Sequence, residues 1–261
     1  MTIVQSQHSH INNSELTSID GHLKAAWLSV VTGSLPVFAY WIFFTAMSSS
    51  QIPWKIALAV GLAVPAILLA SYFFNRRKRR LYCEGIAACA GVVSLWMMFG
   101  SYGYFYFGFA PMPVWIRFIG LGLYLGATLV WIALSWLSYR RETFTQDLEN
   151  RLYVTYSDCI TYLGRKADLE VARLRGPGPG MYVPYWVAST LGPICIGYAL
   201  VSGRLLGQAA GMHSVLMILS VLCFPLSCGL LGQALVRTVF FHIYLPLKLE
   251  RKTGKKVILG P

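Results

Sequence analysis

Long unbroken apolar runs, separated by short polar breaks, set the pattern of this chain. A helix crossing the hydrocarbon core of a bilayer needs about 20 consecutive apolar residues. Six runs meet or approach that length: 25–47, 54–74, 85–109, 114–139, 185–206 and 213–236. Four of them carry a proline near the middle, Pro36, Pro65, Pro193 and Pro225. Each proline removes a backbone donor, so freed carbonyls must find other partners and a kink is expected. Small-residue pairs, Ala87 with Gly91 and Gly122 with Gly126, predict close helix contacts in the third and fourth runs.

The pattern changes between 140 and 184. Placed on a helical wheel, Phe144, Leu148, Leu152, Tyr156, Cys159, Ile160, Tyr162 and Leu163 fall on one side. Asp147, Asn150, Ser157, Asp158 and Thr161 lie opposite, which predicts one amphipathic helix ending at Gly164. Thr145 and Glu149 intrude on the apolar side. Its polar side has two aspartates and a single arginine, whereas a helix lying on anionic lipid carries a basic face. The apolar side therefore suits a protein surface, and Phe144, Leu148, Leu152, Tyr156, Ile160 and Leu163 are the candidate partner-binding residues. A shorter helical piece follows over 166–175. The GPGPG run at 176–180 ends it and reads as a linker, because alternating glycine and proline hold neither helix nor strand. Proline also removes the amide donors that a phosphate cradle requires.

Composition agrees with lipid as the solvent. Hydrophobic residues make up 56% of the 261, charged residues 12%, and the mean hydropathy is +0.56. That leaves too little polar surface for a water-soluble domain of this size. The formal charge of +12 raises the question of nucleic acid, but the placement of the charges answers it differently. With the amino terminus inside, the segments 1–24, 75–84, 140–184 and 237–261 hold every acidic residue. They also hold all 22 Lys and Arg except Lys55, Arg117 and Arg204. This partition follows the positive-inside rule. The densest cluster, Arg76, Arg77, Lys78, Arg79 and Arg80, reads as a topology signal with affinity for anionic lipid headgroups; no nucleic-acid partner is expected. Polar residues 1–24 precede a first run longer than a signal-peptide core, without a small-residue cleavage pattern, so this run is expected to stay as an anchor.

Reactive chemistry is sparse. No ionisable residue lies at the middle of a predicted span, where function would be the usual reason to retain one. Six cysteines lack a C-x-x-C spacing. No Walker loop, G-x-G-x-x-G, H-E-x-x-H or nucleophile–histidine arrangement is present. Asp147, Asp158 and Asp168 read as solvated positions, and no catalytic, cofactor or metal site is expected. The predicted fold is an all-α integral membrane protein. It comprises a polar cytoplasmic tail over 1–24, spans one to four within 25–139, an amphipathic cytoplasmic helix within 140–184, spans five and six within 185–236, and a basic cytoplasmic tail over 237–261. Both termini are expected inside, in a plasma (inner) membrane. The expected function is a non-catalytic multi-pass subunit or scaffold that docks other protein subunits on the cytoplasmic side. A small channel or carrier built on the proline-kinked helices is the alternative.

Overall fold

A computed structural model describes residues 3–75, 79–145, 148–174 and 208–260. The chain is mostly helical. Helix α1 spans Ile3–Ala46, α2 Ile52–Asn75, α3 Leu81–Phe99, α4 Tyr102–Phe109 and α5 Val114–Thr145. After these come α6 (Leu148–Leu152), strand β1 (Tyr153–Thr155), strand β2 (Cys159–Tyr162) and α7 (Arg165–Arg173). A long helical element closes the chain as α8 (Gln208–Cys228), a π-helical stretch π1 (Gly229–Leu235), α9 (Val236–Thr238), a second one π2 (Val239–Tyr244) and α10 (Leu245–Thr253), before strand β3 (Lys256–Leu259).

Among the described residues, five helices are long and apolar enough to cross a membrane: Lys24–Ala46, Ile52–Asn75, Leu81–Phe99, Val114–Thr143 and Gly211–Thr253. The predicted run 185–206 lies outside the described residues. The other five predicted runs all fall on these helices, with two differences. Run 85–109 breaks at Gly100, so YGYFYFGF is a helix of its own, α4. The last run does not stop at 236 but continues as helix to Thr253. Large apolar side chains cover the outside of the bundle, for instance Phe74, Trp115, Phe118 and Leu123, all well over half exposed. That surface suits lipid.

The end of the bundle where α1 meets α2 is packed with aromatics. Tyr40, Phe44, Met47, Phe105, Tyr106 and Leu216 are buried together. Helix α3 ends because Ser101, fully buried, turns its hydroxyl to the Met97 carbonyl at 2.7 Å and accepts the Tyr40 hydroxyl at 2.5 Å. Helix α4 then packs on α5 and α8. A Cβ at Gly103 would collide with the Tyr124 ring, and one at Gly120 with the Phe107 ring, so each glycine makes room for an aromatic of the other helix. Of the predicted small-residue contacts, Ala87 is buried with Ala26, Val64 and Leu68, whereas a Cβ at Gly91, Gly122 or Gly126 meets nothing within 4 Å among the described residues. The close helix approach is instead between α1 and α2, where a Cβ on Gly33 would stand 3.0 Å from the Gly61 Cα.

At the other end sits a small folded cap that breaks the all-α expectation. Its sheet has the order β1-β2-β3. Strands β1 and β2 form an antiparallel hairpin, Tyr153 opposite Tyr162 and Thr155 opposite Ile160, around a turn at Ser157 and Asp158. Strand β3 pairs parallel to β2, Cys159 with Lys256 through Tyr162 with Leu259. Parallel neighbours require a long crossover, here the whole stretch from α7 to α10. Gly254, at φ +70°, ends α10 in the left-handed conformation and turns the chain into β3. The predicted single amphipathic helix ending at Gly164 is therefore replaced by the end of α5, then α6 and the hairpin, while the shorter helical piece expected over 166–175 coincides with α7. β-branched and aromatic residues in YVTYSDCITY favour strand, and burial alternates along β2, with Ile160 and Tyr162 in and Cys159 and Thr161 half out. The predicted basic tail is likewise helix and strand.

Candidate functional site

The cap and the bundle meet in one apolar cluster. It joins Leu81 from α3, Tyr139 from α5, Leu148 and Leu152 from α6, Ile160 from β2, Val171 from α7, Phe240 and Phe241 from π2, Leu249 from α10 and Val257 from β3. Of the predicted partner-binding residues, Leu148, Leu152 and Ile160 are 1%, 0% and 2% exposed. The apolar side of this segment is thus spent on the protein's own interior. Leu163 packs half-buried against the same cluster, while Tyr156 points outward at 56% exposure. Phe144 lies at the end of α5, and its side chain is outside the described residues.

The polar groups of this junction converge on π2. The Tyr153 hydroxyl donates to the Phe241 carbonyl at 3.0 Å. In a π-helix each carbonyl is paired five residues on, and the residue five on from Phe241 is Pro246, which has no N–H to give. Tyr153 supplies the missing donor. At the next residue of π2, His242 Nε2 lies 3.5 Å from Asp168 Oδ1, to which the Tyr162 hydroxyl donates at 2.8 Å. The His242 contact is the main influence holding the Asp168 carboxyl below its ordinary value of 3.8, against the opposing effect of burial and with help from Tyr162 and Arg237. Burial, then the bond to Asp168, pushes the Tyr162 phenol up, and burial does the same to Tyr153. Both tyrosines therefore stay protonated as donors. The cluster fastens β1, β2 and α7 to π2. The sequence places Asp168 on a solvated face and Tyr162 on the apolar side of a helix, and it gives no sign of Tyr153 or His242, whose partners are remote in the chain. Asp158 is exposed in the hairpin turn; Asp147 lies outside the described residues.

Of the basic cluster, Arg76, Arg77 and Lys78 lie outside the described residues. Arg79 and Arg80 form the turn between α2 and α3, and they are tied to the cap. The Leu259 N–H donates to the Arg79 carbonyl at 2.9 Å, and Arg80 bridges Ile258. Three segments far apart in sequence thus gather at one end of the bundle. A second polar group lies among the spans. Trp96 Nε1 donates to Ser227 Oγ at 2.9 Å, Ser227 to the Tyr104 hydroxyl at 3.4 Å, and Tyr104 stands 2.5 Å from Thr128 Oγ1. Trp96, Tyr104 and Thr128 also line a mostly apolar cavity of about 320 Å³. Among the described residues no three His, Cys, Asp or Glu side chains are grouped so as to hold a metal ion.

Comparison with protein families, curated proteins and solved structures finds no match.

Proposed function

We propose that this protein is a non-catalytic multi-pass subunit of a membrane-bound assembly, presenting its cap to a cytosolic protein partner. The observation that carries the reading is the gathering of the loop, the tail and the end of the basic cluster into one folded surface at one end of an otherwise almost uncharged bundle. A cap of this kind needs no chemistry of its own to hold a partner in place. Because Leu148, Leu152 and Ile160 are internal, the docking surface is formed by what the cap leaves outside, including Tyr156 and Leu169 at 56% and 53% exposure. Leu174 packs in the cap and Met212 in the aromatic cluster at the opposite end, which supports a sixth span in the run 185–206 expected from the sequence. In this reading the positive-inside rule favours a cytosolic cap and cytosolic termini, and the membrane is a plasma (inner) membrane.

Two experiments test this. Ser49→Cys should react with an impermeant thiol reagent outside intact cells and Lys252→Cys should not; the reverse labelling overturns the orientation. The full-length chain solubilised in mild detergent should co-purify with a cytosolic protein that Tyr156→Asp combined with Leu169→Asp fails to recover, at unchanged melting temperature. Recovery of the same protein by both contradicts docking through the cap. A carrier is the second reading, supported by the mostly apolar cavity between α3, α4, α5 and π1, on which Tyr104 and Thr128 lie. Solute flux in liposomes that is lost in Thr128→Val would favour it.

A further inference from the structure

At the cap end of the bundle, α2 and α3 diverge and leave a groove of about 370 Å³. Its walls are apolar, with Ile67, Ala70 and Phe74 from α2 and Ile86 from α3, and its mouth is closed by Arg80 and Tyr82. Both helices are of membrane-crossing length and end at this level, so the apolar walls face hydrocarbon and the mouth faces the headgroup layer. The Arg80 guanidinium lies 5.7 Å from the Tyr82 ring centroid and 3.5 Å from its hydroxyl. Among the described residues no carboxylate pairs with it. Its position is nevertheless fixed. The Arg80 N–H donates to Asn75 Oδ1 at 2.6 Å, and Asn75 Nδ2 donates to Glu84 Oε1 at 2.8 Å. The preceding residue, Arg79, adopts φ +44°, a conformation unfavourable for a side-chain-bearing residue. The Leu259 N–H holds that turn from the cap at 2.9 Å. Strain kept in place by surrounding contacts is a feature of binding positions, and an arginine fork carried on a fixed backbone beside the Tyr82 ring is suited to a phosphate.

We infer that this groove binds one anionic phospholipid, with an acyl chain along Ile67, Ala70, Phe74 and Ile86 and the phosphate on Arg80. The site needs only that α2 and α3 cross a bilayer, and it is independent of any docked protein. Charge selects the lipid. A zwitterionic headgroup brings a cation toward the basic turn, whereas an anionic one does not.

The test is lipid retention by the full-length protein, equilibrated in neutral detergent with equal phosphatidylglycerol and phosphatidylcholine and read by native mass spectrometry. The wild type should retain phosphatidylglycerol in preference, by about fivefold for one well-placed arginine. Arg80→Gln should bring the ratio close to one. Ala70→Phe, which fills the groove from an exposed helix position, should lower retention of both lipids. Lys252→Gln, on the exposed side of α10, should keep the wild-type preference. Equal retention of both lipids by the wild type overturns the site. So does an unchanged preference in Arg80→Gln, or a loss in Lys252→Gln as large as in Arg80→Gln, because either would mean diffuse attraction to the basic surface. Should Arg80→Gln fail to fold, Ala70→Phe decides alone, and unchanged retention in it overturns the site.

Discussion

At the cap end the buried side chains come from ten elements scattered from α3 to β3, joined by strand pairing and by tyrosine and carboxylate bonds. At the opposite end they come from helices and the turns that follow two of them, interlocked aromatic against glycine, with serine and tyrosine hydroxyls bonded among themselves. The contrast follows from the solvent each end faces. The cap emerges from lipid, so removing leucine and isoleucine from water drives its folding, roughly 1.5–3 kcal/mol for each side chain fully buried. Within hydrocarbon no such force acts between helices, and association rests on close fit and on polar groups that have no other partner. One end should therefore be sensitive to charge, the other to volume.

The largest effect is expected from Leu148→Asp with Leu152→Asp, which puts charge into the cap interior. A loss of more than about 4 kcal/mol is expected, seen as rapid tryptic cleavage within 148–174 and 245–260 while the spans stay inserted. Protease resistance equal to wild type would mean that the two ends do not differ in this way. Volume is tested at the other end. Gly103→Leu should lower stability by about 1–3 kcal/mol because the Tyr124 ring occupies the space, whereas Gly122→Leu should change it by less than about 0.5 kcal/mol. Thermal unfolding in one detergent compares them, and equal effects would remove the fit argument.

A smaller change should follow Tyr153→Phe. It leaves the Phe241 carbonyl without a donor and should cost about 1 kcal/mol, read as faster amide exchange at the end of π2. The smallest concerns pH. The Asp168 carboxyl is held below 3.8 in the folded protein, so its contribution is complete above that value and fades as pH falls through the lower folded value. Its side chain is 58% exposed, which limits the contribution to a fraction of a kcal/mol. Melting temperature followed from pH 6 to pH 3 should therefore drop slightly more for the wild type than for Asp168→Asn, and identical profiles would remove the Asp168 contact from the account of the cap.

How much of this was legible in the sequence differs between the same two regions. The spans are written as contiguous apolar runs, so five of the six predicted runs coincide with long helices. The break at Gly100 was not legible, because Ser101 ends α3 through the Tyr40 hydroxyl, a partner from α1. In the cap, helical periodicity over 144–163 competed with a two-residue alternation, and the spacing of Leu148 and Leu152 fits α6 while Ile160 and Tyr162 fit β2. What decides for strand is β3, nearly a hundred residues further on, where KVIL reads as a short apolar stretch with no hint of its neighbour. The Tyr162, Asp168 and His242 cluster was hidden for a similar reason: each residue alone is ordinary, and only the fold brings His242 to the neighbouring pair of Tyr162 and Asp168.

The pairing of loop with tail is tested most directly by a crosslink. Cys159 is free and stands opposite Lys256 in the parallel pair of strands. Neighbouring strands lie about 4.8 Å apart, within the Cα separation of about 4.4–6.8 Å that a disulfide bridges. Lys256→Cys, mildly oxidised in the folded full-length protein, should form a bond to Cys159, identified by mass spectrometry as one peptide pair that reduction separates. The bond should disappear when Cys159→Ser is added. Free thiols at both positions after oxidation, or a bond from position 256 to another cysteine in place of Cys159, would contradict a cap shared by loop and tail.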